Sequence, residues 1–178
     1  MGTESIALRM PYMLPYDGIA PHFATPPLLA GPGSSVLGKV QVGARATFGT
    51  LSVVRADGHY VRIGDDFCLA KDATVHIAHE IYPTIIGDRV AVGQNAVVHA
   101  CTVGNDCVIE ANAGVLDGSV VEDRVVIEAG SVVFPRSTLK SGYVYAGSPA
   151  KPVRELPDDE RKQRDAHLRD GVAASLLA

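Results

Sequence analysis

Two histidines, His76 and His99, are the residues whose type and spacing most directly suggest chemistry. Each follows a valine, and the two positions are 23 residues apart. Imidazole nitrogens bind zinc at about 2.0–2.1 Å, so two rings held close together can share one divalent metal ion. Arg55 also follows a valine, 21 residues before His76. Whether these side chains meet depends on the elements that carry them.

The composition predicts a core built from small, repeated side chains. The chain of 178 residues is 47% hydrophobic, yet it is 6% aromatic and contains 18 glycines and no tryptophan. We therefore expect an interior too narrow to hold large rings. A net charge of −4 leaves no basic surplus for binding phosphates, which argues against a nucleic-acid partner. No apolar run reaches the roughly 18 residues of a membrane helix, which argues against a membrane role.

The N-terminus and the cysteines indicate a reduced, cytoplasmic protein. The first residues, MGTESIALRMPYMLP, lack the charged start and apolar stretch of a signal peptide, so the cytoplasm is the expected location. The three cysteines, Cys68, Cys101 and Cys107, contain no CxxC motif and are odd in number. We therefore expect reduced, buried thiols rather than a disulfide framework.

Aliphatic residues recur every six positions over most of the chain. In the central series, seven of eight steps are six residues long; its members are Ile86, Val92, Val98, Val103, Ile109, Val115, Val121, Ile127 and Val133. Longer steps separate Val54 from Ile63 and Val75 from Ile86. A six-residue period fits neither strand alternation nor an α-helix. It fits an all-β coil of three short faces, a parallel β-helix whose stacked strands lie about 4.7–4.9 Å apart.

We predict a single domain with four segments. They are an irregular lead-in over 1–35, the β-helix prism over 36–134, an exit segment over 135–156 and a C-terminal α-helix over 157–178. Pro157 followed by three acidic residues is typical of a helix start. Leu168, Val172 and Leu176 are spaced by four, so we expect this apolar stripe to pack along the prism or on a neighbouring subunit.

The register of the repeat predicts which side chains share a column. Val54, Val75, Val98 and Val115 occupy the same face in successive coils, so the residues that follow them form a second column; these are Arg55, His76, His99 and Leu116. His76 and His99 should then leave one edge of the prism within about 5 Å of each other. The alternative is that they are solvated histidines on an outward corner.

Several segments resemble the γ-class carbonic anhydrases and their hexapeptide-repeat relatives. These segments are VVRADGHYVRIGDD, ATVHIAH, PTIIGDRVAVGQNAVVHACTVG, AGVLDG and LKSGYVYAGSPAKPVREL. The resemblance implies a left-handed coil and a homotrimer that binds zinc or another divalent metal through three histidines at a subunit interface. His76 and His99 match the two histidines that one subunit supplies. Arg55 and Asp57 match an Arg-x-Asp pair at the same interface.

The sequence departs from that family at the metal site. Gln94 stands where the neighbouring subunit's third histidine is expected, and a carboxamide is a poorer zinc ligand than imidazole. Cys68 and Ala70 occupy positions where the family tends to have Asn and Gln, and Gly58 replaces an acidic residue of some members. The resemblance thus implies a degraded metal site.

The loop after His76 offers substitutes for the missing groups. His79 or Glu80 can serve as a replacement ligand or, as the family's loop often does, as a proton shuttle. The alternative is that both are solvated loop residues.

Three functional hypotheses remain open from the sequence. The leading one is a homotrimer with a weakly bound metal, little CO2 hydration and a divergent binding or assembly role that leaves room for a small-molecule ligand. The second is an active divalent-metal enzyme that hydrates CO2 or hydrolyses a small ester or thioester. The third is a hexapeptide-repeat acyltransferase, since such enzymes share the period and end in motifs similar to GSPAK.

Overall fold

Each six-residue repeat forms a short strand followed by a corner, and three repeats complete one coil. The computed structural model describes residues 10–177 and shows a parallel β-solenoid of about seven turns followed by an α-helix. In chain order the elements are β1 (Tyr12–Leu14), β2 (His22–Phe23), β3 (Leu29–Ala30), β4 (Ser35–Val42), β5 (Thr47–Phe48), β6 (Val53–Ile63), β7 (Cys68–Leu69), β8 (Thr74–His76), β9 (Thr84–Ile86), β10 (Ala91–Val92), β11 (Val97–His99), β12 (Thr102–Val103), β13 (Val108–Ile109), β14 (Gly114–Val115), β15 (Val120–Val121), β16 (Val126–Ile127), β17 (Val132–Val133), β18 (Thr138–Leu139), β19 (Tyr143–Gly147), β20 (Ala150–Glu155) and α1 (Asp158–Leu177). The predicted fold class is confirmed.

The strands form three faces. The start of β6 pairs with β8, and β8, β11, β14 and β17 follow in order; we call this the histidine face. The end of β6 pairs with β9, and β9, β12, β15 and β18 form the second face. The third face, which we call the helix face, consists of β3, β5, β7, β10, β13, β16 and β19. The long step from Val54 to Ile63 is therefore one continuous strand that rounds a corner.

Inward-pointing aliphatic side chains fill the prism as the register predicts. Val75 pairs with Val54 and with Val98, and Val98 pairs with Val115. All four are fully buried. The expectation that large rings do not fit is wrong, because Phe48 and Phe67 are fully buried near the N-terminal end and meet edge to face with ring centroids 6.3 Å apart.

Glycine followed by Asp or Asn recurs at one corner of the prism, where the side chain of one coil accepts a backbone hydrogen bond from the preceding coil. The side chain of Asp88 accepts the backbone N–H of Asp65 at 2.8 Å, and that of Asn105 accepts the N–H of Asp88 at 2.8 Å. A Cβ at Gly87 would lie 2.5 Å from Asn105 Oδ1. Glycine before the acceptor thus leaves the space that the next coil's side chain occupies.

The structure differs from the predicted segment boundaries at both ends of the prism. Three short strands, β1 to β3, lie within the segment expected to be an irregular lead-in, and they pair in parallel with β4 and β5. In the expected exit segment, β19 still extends the helix face, and β20 turns back against it in antiparallel fashion. Residues 1–9 of the lead-in and residue 178 of the predicted helix lie outside the described residues.

The C-terminal helix packs along the prism of its own chain. Helix α1 contacts β3, β10 and β13. Its Val172 is buried against Cys68, Ala70 and Ala91, while Leu168 packs at the edge of the same cluster. Of the two predicted positions for the apolar stripe, the structure therefore shows the first.

Ion pairs and buried thiols complete the packing. Arg164 of α1 forms an ion pair with Glu110 of the prism. All three cysteines are free and buried, as predicted. Within residues 10–177, no helix has the length and apolar character needed to span a membrane.

Candidate metal site

The two histidines lie side by side on one edge of the histidine face. His76 ends β8, His99 ends β11, and the two residues are paired in register. Their ring centroids are 5.1 Å apart, with the ring planes inclined at 58°. Both side chains are about a quarter exposed, at 29% and 27%. The juxtaposition expected from the repeat is therefore present in a single chain.

Each imidazole is held by its own carboxylate. His76 Nε2 lies 2.9 Å from Asp57 Oδ1, and His99 Nδ1 lies 2.6 Å from Asp117 Oδ1. Asp57 was predicted to lie at an interface, whereas Asp117 had no predicted role. One signal was present, because Asp117 follows His99 by 18 residues, which is three repeats, or one coil. A carboxylate that fixes the second nitrogen of a histidine is the usual companion of metal-binding imidazoles.

Asp57 is the more enclosed of the two carboxylates, with its side chain 14% exposed. Desolvation by burial raises its pKa, but hydrogen bonds from His76 and Arg55 outweigh this and lower the pKa to about 2. Arg55 Nε donates to Asp57 Oδ2 at 2.7 Å from an exposed position. Asp57 is thus a carboxylate at neutral pH and connects the predicted interface residue Arg55 to His76.

Thr84 ties together the backbones that carry both histidines. Its hydroxyl donates to the backbone carbonyl of His76 and accepts the N–H of Ala100 at 2.9 Å. Thr84 is fully buried. This residue was also missed from sequence, because nothing in the repeat marks the return of the long loop after His76 as an anchor.

The loop over residues 77–83 carries His79 and Glu80 outward. Their side chains are 63% and 83% exposed, and His79 Nε2 lies 3.9 Å from Glu80 Oε1. The ring of His79 lies so close to Gly58 that a Cβ at Gly58 would overlap it. Position 58, where some family members carry an acidic residue, is a glycine here, and the absence of a side chain leaves room for the imidazole of His79.

Gln94 lies away from the two histidines of the same chain. It is exposed in the turn between β10 and β11, whereas His99 lies at the other end of β11. Gln94 lines a cavity of about 660 Å³ between α1 and the helix face, together with Ala70 and Leu168. Within one chain, the structure does not bring Gln94 together with the histidine pair.

Cys68 and Ala70 are covered by the C-terminal helix. Both pack in the cluster around Val172. Burial raises the pKa of the Cys68 thiol to about 12, so this side chain stays protonated at neutral pH. Neither residue offers a polar or charged group for orienting water or substrate.

The donor set of one chain does not complete a zinc site. The described residues, 10–177, contain no group of three His, Cys, Asp or Glu side chains placed to hold a metal ion. Catalytic zinc sites use three protein ligands plus water. The histidine pair with its two carboxylates fits two of those three positions, and a third donor has to come from elsewhere.

The six-residue period and the parallel solenoid define a hexapeptide-repeat protein, and comparisons with known proteins agree. The model of the family "Bacterial transferase hexapeptide (six repeats)" matches residues 100–135, and that of "Hexapeptide repeat of succinyl-transferase" matches residues 83–115. Protein YrdA of Escherichia coli K12 is 35% identical over 153 residues, which cover 83% of either chain. The chain belongs to the γ-carbonic-anhydrase-like hexapeptide-repeat family.

The chain is also similar to a curated plant protein and to a solved bacterial structure. Gamma carbonic anhydrase 2, mitochondrial, of Arabidopsis thaliana is 37% identical over 138 residues, 75% of this chain and 50% of the relative. The chain thus spans about half the length of that plant protein. The crystal structure of a hexapeptide transferase family protein from Anaplasma phagocytophilum has a TM-score of 0.81 at 27% identity, covering 92% of this chain and 96% of its own.

Proposed function

We propose that this chain forms a γ-carbonic-anhydrase-like homotrimer whose interfacial metal site is degraded and which hydrates CO2 weakly or not at all. The observation that carries the proposal is the arrangement of donors. Two imidazoles, each held by a carboxylate, lie at one edge of the histidine face. The position expected to supply a third donor is an exposed carboxamide in the turn at the other end of β11.

A symmetric assembly would join these two edges. Gln94 and the histidine pair lie at opposite ends of β11, so contact between neighbouring chains along the histidine face would place Gln94 of one beside His76 and His99 of the next. Val97, between them on β11, is 38% exposed, which suits an apolar contact at such a face. Arg55 lies at the same edge, joined to Asp57.

Replacing an imidazole by a carboxamide would weaken both metal binding and the hydration activity that depends on the metal. A bound divalent metal would supply a water activated at neutral pH, as in other hydration enzymes. Changes in the groups that merely orient ligands already reduce metal affinity or activity about 10–100-fold, and a lost ligand should cost more. Ala70 and Cys68 add no polar group, so the proposed role is a binding or assembly function with zinc or another divalent metal held weakly.

Stopped-flow CO2 hydration tests this function. The protein is loaded with zinc, and initial hydration is followed with a pH indicator beside the uncatalysed reaction. We expect a rate close to the uncatalysed one. Turnover typical of efficient carbonic anhydrases would refute the proposal. The cytoplasmic location and the lack of nucleic-acid and membrane partners remain predictions from the sequence.

A second candidate is an active metalloenzyme acting on CO2 or on a small ester or thioester. The observation that favours it is the pair of carboxylate-held histidines. The exposed His79, three residues after His76 in the loop after β8, would act as a replacement ligand or proton carrier. Elemental analysis of untagged protein tests it, since a divalent metal at about one ion per site supports this candidate and a metal-free protein excludes it.

A third candidate is an acyltransferase. It is favoured by the similarity to the hexapeptide transferase family protein, which covers almost the whole of both chains. Calorimetry with acetyl-CoA distinguishes it, because binding in the micromolar range would support acyl transfer, whereas the leading proposal predicts no heat of binding.

A further inference from the structure

We propose that Asp117 is the positioning residue for His99 and that, together with Asp57, it holds the two neighbouring imidazoles in opposite tautomers. This inference deepens the proposed metal site, and its relevance to metal binding rests on the proposed function. The tautomers themselves are a property of the metal-free chain. Asp117 has no counterpart in the ligand pattern read from the sequence.

The backbone around Asp117 is fixed to the coils on either side. Its carbonyl accepts the N–H of Arg136 at 2.8 Å, and the next residue, Gly118, donates its N–H to the carbonyl of Ala100 at 2.7 Å. Ala100 directly follows His99 in the chain. The corner that carries the carboxylate is therefore tied to the corner that carries the imidazole.

The two carboxylates contact different nitrogens of the two rings. Asp57 lies against Nε2 of His76, and Asp117 lies against Nδ1 of His99. An ionised carboxylate can only accept hydrogen bonds, so the nitrogen that it contacts must carry the proton. His76 then keeps its lone pair on Nδ1, whereas His99 keeps its lone pair on Nε2.

This arrangement gives each imidazole a carboxylate of its own. Histidine rings only 5.1 Å apart would otherwise be free to rotate and to exchange tautomers independently. With both carboxylates in place, each ring keeps one nitrogen for its aspartate and leaves one lone pair for a further partner. Asp57 also accepts a hydrogen bond from Arg55. The side chain of Asp117, which is 43% exposed, contacts His99.

NMR of the histidine ring nitrogens tests the proposal on metal-free, 15N-labelled protein at pH 8.5, above the ordinary pKa of histidine. In the wild type we expect His99 as the Nδ1–H tautomer and His76 as the Nε2–H tautomer. Asp117→Ala should shift His99 toward the Nε2–H form and leave His76 unchanged. Asp57→Ala is the matched control, because it should leave the tautomer of His99 unchanged.

Two results would overturn the inference: both rings in the same tautomer in the wild type, or His99 unchanged by Asp117→Ala. Asp117→Asn is the conservative variant. It keeps an acceptor oxygen without the charge, so it should retain more of the Nδ1–H form than alanine does. Because the side chain is partly exposed, neither change removes core packing, and circular dichroism checks that both variants remain folded.

Zinc affinity, measured by competition with a chromophoric chelator, gives a second readout. Asp117→Ala should weaken zinc binding about 10–100-fold relative to the wild type, and Asp117→Asn should weaken it less. Equal affinities of wild type and Asp117→Ala would also overturn the inference. If the wild type binds no zinc, the weak metal site of the proposed function fails, while the NMR experiment still decides the role of Asp117.

Discussion

Replacing Asp57 by asparagine should remove part of the acid sensitivity of folding. Hydrogen bonds from His76 and Arg55, opposed by desolvation, lower the pKa of Asp57 from 3.8 to about 2. A carboxyl group whose pKa is depressed in the folded state stabilises the protein above its ordinary pKa, and this contribution is lost as the pH falls toward the folded value. At 1.36 kcal/mol per pKa unit, the full contribution is about 2 kcal/mol. About 1 kcal/mol of it should be lost by pH 3.

The assay is urea unfolding at pH 7, 5, 4 and 3, at one protein concentration so that assembly does not alter the comparison. Asp57→Asn should be about 2 kcal/mol less stable than the wild type at pH 7 and about 1 kcal/mol less stable at pH 3. Asp17→Asn, at an exposed turn, is the control and should run parallel to the wild type. If the free energy of unfolding of Asp57→Asn falls between pH 7 and pH 3 by as much as that of the wild type, the assigned interaction with His76 and Arg55 is wrong.

Three further predictions concern the anchor at Thr84, the packing of one corner of the prism and the accessibility of the cysteines. Thr84→Val removes the hydroxyl that bridges two backbones and should cost about 1–2 kcal/mol in urea unfolding. Thr102→Val, at an exposed strand position, should change stability by less than about 0.5 kcal/mol, and equal effects of the two variants would contradict the anchoring role. Gly64→Ala places a Cβ against the Asp88 carboxylate and should lower stability by about 1–3 kcal/mol, seen as a lower thermal midpoint. The three cysteines, whose pKa burial raises to about 12, should react with a thiol reagent only after unfolding, and rapid labelling of the native protein would show that they are accessible.

The sequence predicts the prism because its period is nearly perfect in the centre. The register that places Val75 beside Val98 also places His76 beside His99, and both pairings are observed. The strands before β4 were not predicted, because β2 and β3 have only two residues each in a Pro- and Gly-rich stretch. Such short strands depend on pairing with the next coil rather than on their own sequence pattern.

The groups that orient the histidines were harder to predict. The five-residue step between Val98 and Val103 makes this coil 17 residues long in the aliphatic register, so the register places Leu116 beside His99 and overlooks Asp117, the next residue. Thr84 acts through backbone groups, which no side-chain pattern reveals. The role proposed for Gln94 involves a second copy of the chain, and neither the repeat nor the structure of one chain contains such a contact.

The zinc affinity of wild type and Gln94→His, measured by chelator competition, tests the central claim most directly. Gln94→His should restore the missing imidazole across the proposed interface and raise affinity more than 10–100-fold, the range seen for changes beyond the ligands. Asn95→His, at the adjacent exposed turn position, is the matched control and should leave affinity unchanged. Equal affinities for wild type and Gln94→His would contradict the claim that Gln94 stands in place of a metal ligand.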